Sequence, residues 1–334
     1  MTDLRRRIAI VWLILGATLC GHVSAHESQP GLFELRQLGP ERYEVIWRAP
    51  IYYGKPHPAE LRLPRDWSTV GEPTVRQLPD SALHRRIVDV AGGSIDGSVI
   101  RFPGLESTIT DVFVRVSRLD GSEASQVVRP TQPYAELRGE RPWYVSSGEY
   151  LVLGFHHILM GIDHLLFVLG LLIIVNGRRM LVKTITAFTL AHSITLALAT
   201  LGYASIPGPP RNAAIALSIL FLGPEIVRVW RGQSSFTIRH PWVVAFAFGL
   251  LHGFGFASGL STVGMPKSEI PLALLMFNVG VELGQLAFVV LILLSYRSVE
   301  VLQFRWPRWV EHVPGYAIGS LGAYWAIQRT LLMF

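Results

Sequence analysis

The stretch Gly154-Phe155-His156-His157-Ile158-Leu159-Met160-Gly161-Ile162-Asp163-His164 runs directly into the apolar segment Leu165 to Val175. Read together, they make a membrane-crossing helix over 148–175, long enough for the ~20 residues a bilayer requires. His157 and His164 lie two turns apart on one face of such a helix, with His156 and Asp163 on the adjacent stripe. Met160 sits between the two histidines. An ionisable side chain at bilayer mid-depth costs roughly 2.5–3.5 kcal/mol on insertion scales. A chain retains one only where it pairs, lines a wet cavity or binds something.

The same signal recurs downstream. Apolar runs predict five further helices, at 180–203, 211–230, 241–263, 270–296 and 314–333. The second carries His192 between Thr189 and Thr195. The fourth carries His252 among Gly249, Gly253, Gly255 and Gly259, small residues that let a neighbouring helix approach. The fifth places Asn278, Glu282 and Gln285 on one face. His157, Asp163, His164, His192, His252 and Glu282 therefore form the candidate metal site. Imidazole and carboxylate suit a divalent transition metal, zinc or copper among them. Asp163 reads either as a ligand or as the group that orients a ligating imidazole. Glu282 reads as ligand or proton acceptor. In the third helix Gly223-Pro224 predicts a kink or break, just before Glu225.

Composition agrees with a divided chain. Its 334 residues are 50% hydrophobic, with mean hydropathy +0.37: too apolar for a soluble protein, too polar to be all membrane. Residues 1–25 read as a signal peptide, with Arg5, Arg6 and Arg7, an apolar core from Ile8 to Leu19, and Val23-Ser24-Ala25 as cleavage site. Cys20 falls inside that segment, so the mature chain has no disulfide and no thiolate ligand. It would begin at His26; an N-terminal amine and imidazole together suit copper, but the expected reading is accidental placement by the cleavage site. Residues 26–128 read as an exported all-β domain of short strands punctuated by Gly, Pro and Asp, a β-sandwich in outline. One of those strands is expected at 59–63. Residues 129–147 read as a linker, with Trp143 and Tyr144 as interfacial anchors. The fold class is thus mixed, an exported β-sandwich followed by a six-helix transmembrane bundle over 148–334.

Loop charge sets the orientation. Arg178, Arg179 and Lys183, then Arg228, Arg231 and Arg239, then Arg297, Arg305 and Arg308 mark the first, third and fifth loops as cytoplasmic. The β-domain and the C-terminus are then outside a bacterial inner membrane. Net charge is +6, but it is dispersed over signal segment, β-domain and loops, so nucleic acid is not an expected partner.

The stretch His157 to His164 resembles the first signature of the HupE/UreJ family, a histidine, five residues, then Asp-His. Phe188 to Ser193, His252 to Ala257 and Phe277 to Gln285 resemble the branch with an added exported domain. Ile158 stands where proline is usual. Phe254 and Phe256 stand where transporter-type members place a second histidine. The resemblance implies a protein tied to hydrogenase or urease maturation, in some members a nickel permease. Its partners would then be the lipid bilayer, a metal ion, nickel foremost, and a periplasmic or metalloenzyme-maturation protein. Two other readings stay open: an intramembrane metal-dependent hydrolase, and a non-catalytic accessory protein whose polar residues only join helices.

Overall fold

The computed structural model describes residues 30–51, 55–78, 81–138, 142–263, 270–301, 312–331 and 333. The expected signal peptide and His26 lie outside the described residues. The chain divides into two compact units, one built mainly on strands and one on helices.

The strands described are β1 Gly31–Gln37, β2 Arg42–Pro50, β3 Trp67–Gln77, β4 Ser81–Val90, β5 Val99–Arg101, β6 Val112–Ser117, β7 Glu123–Val128 and β8 Tyr134–Glu136. Six of them form one sheet in the order β3-β4-β2-β1-β6-β7, and β5 pairs with β8. Neighbours are antiparallel except β1 and β6, which run parallel with Phe33 opposite Val114. The period-two pattern explains the core. Phe33 and Leu35, Tyr43, Val45 and Trp47, Val88 and Val90, and Val112, Val114 and Val116 all turn to one buried cluster. Ile100 and Ala135 of the small sheet join that cluster. β3 departs from the pattern, because every residue after Trp67 is exposed.

Two boundaries differ from expectation. The strand expected at 59–63 is reduced to an isolated bridge between Arg62 and Arg101. The expected linker instead contains β8, and a helix begins at Trp143. Tyr134-Ala135-Glu136 is too short to show alternation, and its apolar member is a single alanine.

The helices are α1 Trp143–Met160, α2 Ile162–Ile174, α3 Arg178–Thr200, α4 Gly208–Trp230, α5 Phe236–Arg239, α6 Pro241–Val263, α7 Ile270–Val301 and α8 Val313–Leu331. Among the described residues, three are long and apolar enough to cross a membrane: α3, α4 and Ile270–Ser295 within α7. The α1–α2 pair makes a fourth if counted as one span. The protein is therefore a membrane protein, and among the described residues three to four of the six expected spans are long and apolar enough to cross. Two details overturn the helix-by-helix expectation. The first predicted helix is broken at Gly161, with a 72° bend between its halves. The third is continuous through Pro224; there a side chain on Gly223 would strike the Gly319 backbone of α8, so the Gly serves close packing.

Candidate metal centre

The break at Gly161 builds the centre. In an unbroken helix, His157 and His164 would stand about 10.5 Å apart along the axis. The bend brings their ring centroids to 4.9 Å. Glycine is required at the corner, because a Cβ on Gly161 would lie 2.7 Å from His164 Nδ1 and 2.9 Å from the His157 carbonyl. His192 of α3 completes the group, with ring centroids 6.2 Å from His157 and 6.3 Å from His164. One ring nitrogen from each of the three lies within 4.8 Å of the others.

Close helix crossings hold two of these elements, α1 and α3. A Cβ on Gly280 of α7 would meet the Leu151 carbonyl of α1 at 2.0 Å. A Cβ on Gly253 of α6 would meet the His192 carbonyl of α3 at 2.4 Å. The glycines around His252 thus do let a neighbour approach, and that neighbour is the helix carrying His192. Backbone contact of this kind fixes the histidines more tightly than side-chain packing alone.

The surroundings are apolar and aromatic. Phe256 lies 4.6 Å from the His157 ring, and Phe277 stacks on Phe256 at 4.6 Å. Phe277 also lies parallel to His192, and Phe188 borders both His164 and His192. Inside this cage His157 Nε2, both nitrogens of His164 and His192 Nε2 are buried with no hydrogen-bond partner. Buried polar atoms are seldom left so. His192 Nδ1 is satisfied by Asn278 Oδ1 at 3.1 Å, which fixes the ring and turns Nε2 inward.

The six sequence-predicted residues separate into two sets. His157, His164 and His192 converge. His252 is fully buried at 4.8 Å from the His164 ring, but its Nε2 bonds Ser218 Oγ of α4 at 3.0 Å. Asp163 pairs with Arg329 at 2.8 Å. Glu282 accepts a hydrogen bond from Thr186 at 2.6 Å, beside rather than within the imidazole group. Met160 is 54% exposed, and His156 is exposed as well. Glu225 is buried against Arg228 and Ser235.

The HupE / UreJ protein family matches residues 135–329. The chain belongs to that family. The match spans more than half of the chain and contains His157, His164, His192 and Arg329. Families of this name are generally associated with nickel or cobalt uptake or with metalloenzyme maturation, which makes a metal-related function the shared expectation. Most of the strand-built unit lies outside the match. No curated protein and no solved structure matches the chain.

The residues that the HupE/UreJ-like sequence pattern did not announce are Arg329 and Arg211. Both are buried in the helical unit, at 7% and 4% exposure. Arg211 donates to the Phe254 carbonyl and to Asn212 Oδ1. Their signal was present, since a lone arginine inside an apolar helix calls for a partner.

Proposed function

We propose that this HupE/UreJ protein binds a divalent transition metal, nickel foremost, within the membrane and passes it across as cargo. His157, His164 and His192 are the ligands, and His252 lies beside them as a fourth imidazole. The observation that carries this reading is the set of buried imidazole nitrogens without partners inside an aromatic cage. Their chemistry fits the cargo: imidazole serves nickel, copper and zinc alike. Around one tetrahedral ion, nitrogens at the usual ~2.0–2.1 Å stand about 3.3 Å apart. From the 4.8 Å limit, the nitrogens would draw together by up to about 1.5 Å on binding. The surrounding phenyl rings make the site apolar, which strengthens the attraction between the ion and the imidazole nitrogens once the ion has shed its water.

The finer topology belongs to the same proposal. Six helices span an inner membrane, the α1–α2 pair acting as one bent span, and α6 and α8 completing the set. The strand-built unit is an exported sandwich, reached after cleavage of a signal peptide. It collects metal or docks a maturation partner. Hydrolysis is the weaker reading, because the nearby Asp163, a candidate general base, is engaged by Arg329.

The test is metal content of the purified full chain followed by uptake into proteoliposomes. Bound nickel lost in His164→Ala, together with nickel accumulation by the wild type, is expected. Nickel-free wild-type protein, or equal uptake by wild type and His164→Ala, would refute it.

A further inference from the structure

We infer that Arg329, on the last helix, is the positioning residue of the metal centre. It holds Asp163, thereby fixing the first turn of α2 and His164, and keeps that carboxylate out of the metal's coordination. This rests on the reading of the three imidazoles as ligands.

The argument begins with the broken span. Because the chain bends at Gly161, the first turn of α2 is not held by a continuous helix before it. His164 sits in that turn with neither ring nitrogen hydrogen-bonded. Its orientation therefore comes from its backbone and from the rings packed around it, not from a hydrogen bond. Asp163, its immediate neighbour, supplies an anchor: Oδ2 accepts from Arg329 Nη2 at 2.8 Å. Arg329 Nη1 donates to the Asn212 carbonyl of α4 at 3.0 Å. One planar guanidinium thus ties α2 and α4 from α8, with both members of the ion pair buried. The rigid fork of arginine can make both bonds at once, which the single ammonium of lysine does poorly.

The same tie decides which groups reach the metal. Successive helical residues point about 100° apart, so Asp163 and His164 do not turn to one ion while the first turn of α2 stays wound. With Asp163 Oδ2 engaged by Arg329, the metal-competent group among the described residues consists of imidazoles alone. Neutral imidazoles leave the ion its full charge, and a bound ion with no neutralising carboxylate is released more readily. That suits cargo better than a resident cofactor.

The test uses the full chain in detergent with nickel as probe. Affinity is measured by titration, and carboxylate involvement by the nickel-induced infrared difference spectrum. In the wild type, no carboxylate band that vanishes in Asp163→Asn is expected. Asp163→Asn still accepts from the guanidinium, so its loss of affinity should stay below the ~10-fold that marks disturbed ligand support. Arg329→Gln should weaken nickel ~10-fold or more, because the support of His164 is lost; a released Asp163, seen as a new carboxylate band, offsets only part of that loss. The double variant should bind no tighter than Arg329→Gln, because it lacks both the guanidinium and the carboxylate. Should Arg329→Gln fail to fold, Arg329→Lys provides the same comparison, keeping the charge but not the fork. A nickel-shifted Asp163 band in the wild type overturns the proposal, as does wild-type affinity in either Arg329 variant. A wild type that binds no nickel overturns the metal reading and this inference with it.

Discussion

Gly253→Ala is the most informative single substitution, because one methyl group meets the backbone that carries His192. The added Cβ would lie 2.1 Å from Thr195 Oγ1 and 2.4 Å from the His192 carbonyl oxygen. The threonine hydroxyl can rotate, giving up its bonds to the Ala191 and His192 carbonyls. The carbonyl cannot. Cβ atoms keep at least 3.0 Å from such an atom, so α3 and α6 must part by about 0.6 Å. Overpacking of this kind costs ~1–3 kcal/mol. Alanine returns ~0.5–1 kcal/mol of helix stability. The net expectation is a loss of roughly 0–2.5 kcal/mol. The displaced carbonyl belongs to His192 itself, so nickel affinity should fall ~10-fold as well. Gly148→Ala is the control, since a Cβ there has nothing within 4 Å and should only stabilise. Unfolding in micelles and nickel titration would be compared for both variants. If Gly253→Ala is as stable as Gly148→Ala and binds nickel as the wild type does, the helix crossing does not position the centre.

Other expectations follow from separate features. A reporter fused after Phe334 should be active only in its periplasm-active form; activity of a cytoplasmic reporter instead would reverse the topology. Glu282→Gln should keep nickel affinity, because an amide still accepts from Thr186; a loss beyond ~10-fold would restore Glu282 to the ligand set. Burial holds Asp111 of the strand-built unit up at about 6, against the opposing pull of Arg129. Its folded value is above its unfolded one, so the contribution is intact below the unfolded pKa and is lost as pH rises through about 6. Asp111→Asn should therefore increase hydrogen-exchange protection of β6 peptides at neutral pH and leave it unchanged in acid. Equal protection at both would exclude a buried acid there.

Much of the fold was legible because burial leaves a periodic record. The alternation in Val112-Phe113-Val114-Arg115-Val116 announced β6, and the apolar runs located the helices to within a few residues. The histidines were legible through their cost in lipid. The break at Gly161 was not, because glycine is tolerated inside membrane helices and its neighbours Met160 and Ile162 are apolar. Proline had the opposite effect: Gly223-Pro224 promised a kink or a break, and α4 continues through it without a break. The pairing of Asp163 with Arg329 was hidden by 166 residues of separation. Sequence spacing on one helix suggested that Asp163 served the histidines; only tertiary packing shows which cation it faces. His252 and Glu282 illustrate the same limit, since shared depth does not decide whether a side chain turns toward His164 or toward Ser218 and Thr186.

The 72° bend has an electrostatic consequence as well as a geometric one. A continuous helix would cancel its peptide dipoles in mid-span. Broken at Gly161, it exposes the carbonyl end of α1 beside His157 and the amide end of α2 beside Asp163. Each end carries about half an elementary charge, negative at the first and positive at the second. The carbonyl end favours an arriving cation, and the amide end favours the Asp163 carboxylate that Arg329 holds. A single glycine thus sorts charge along one span, giving the centre a cation-attracting edge and an anion-stabilising edge without a further ionised side chain.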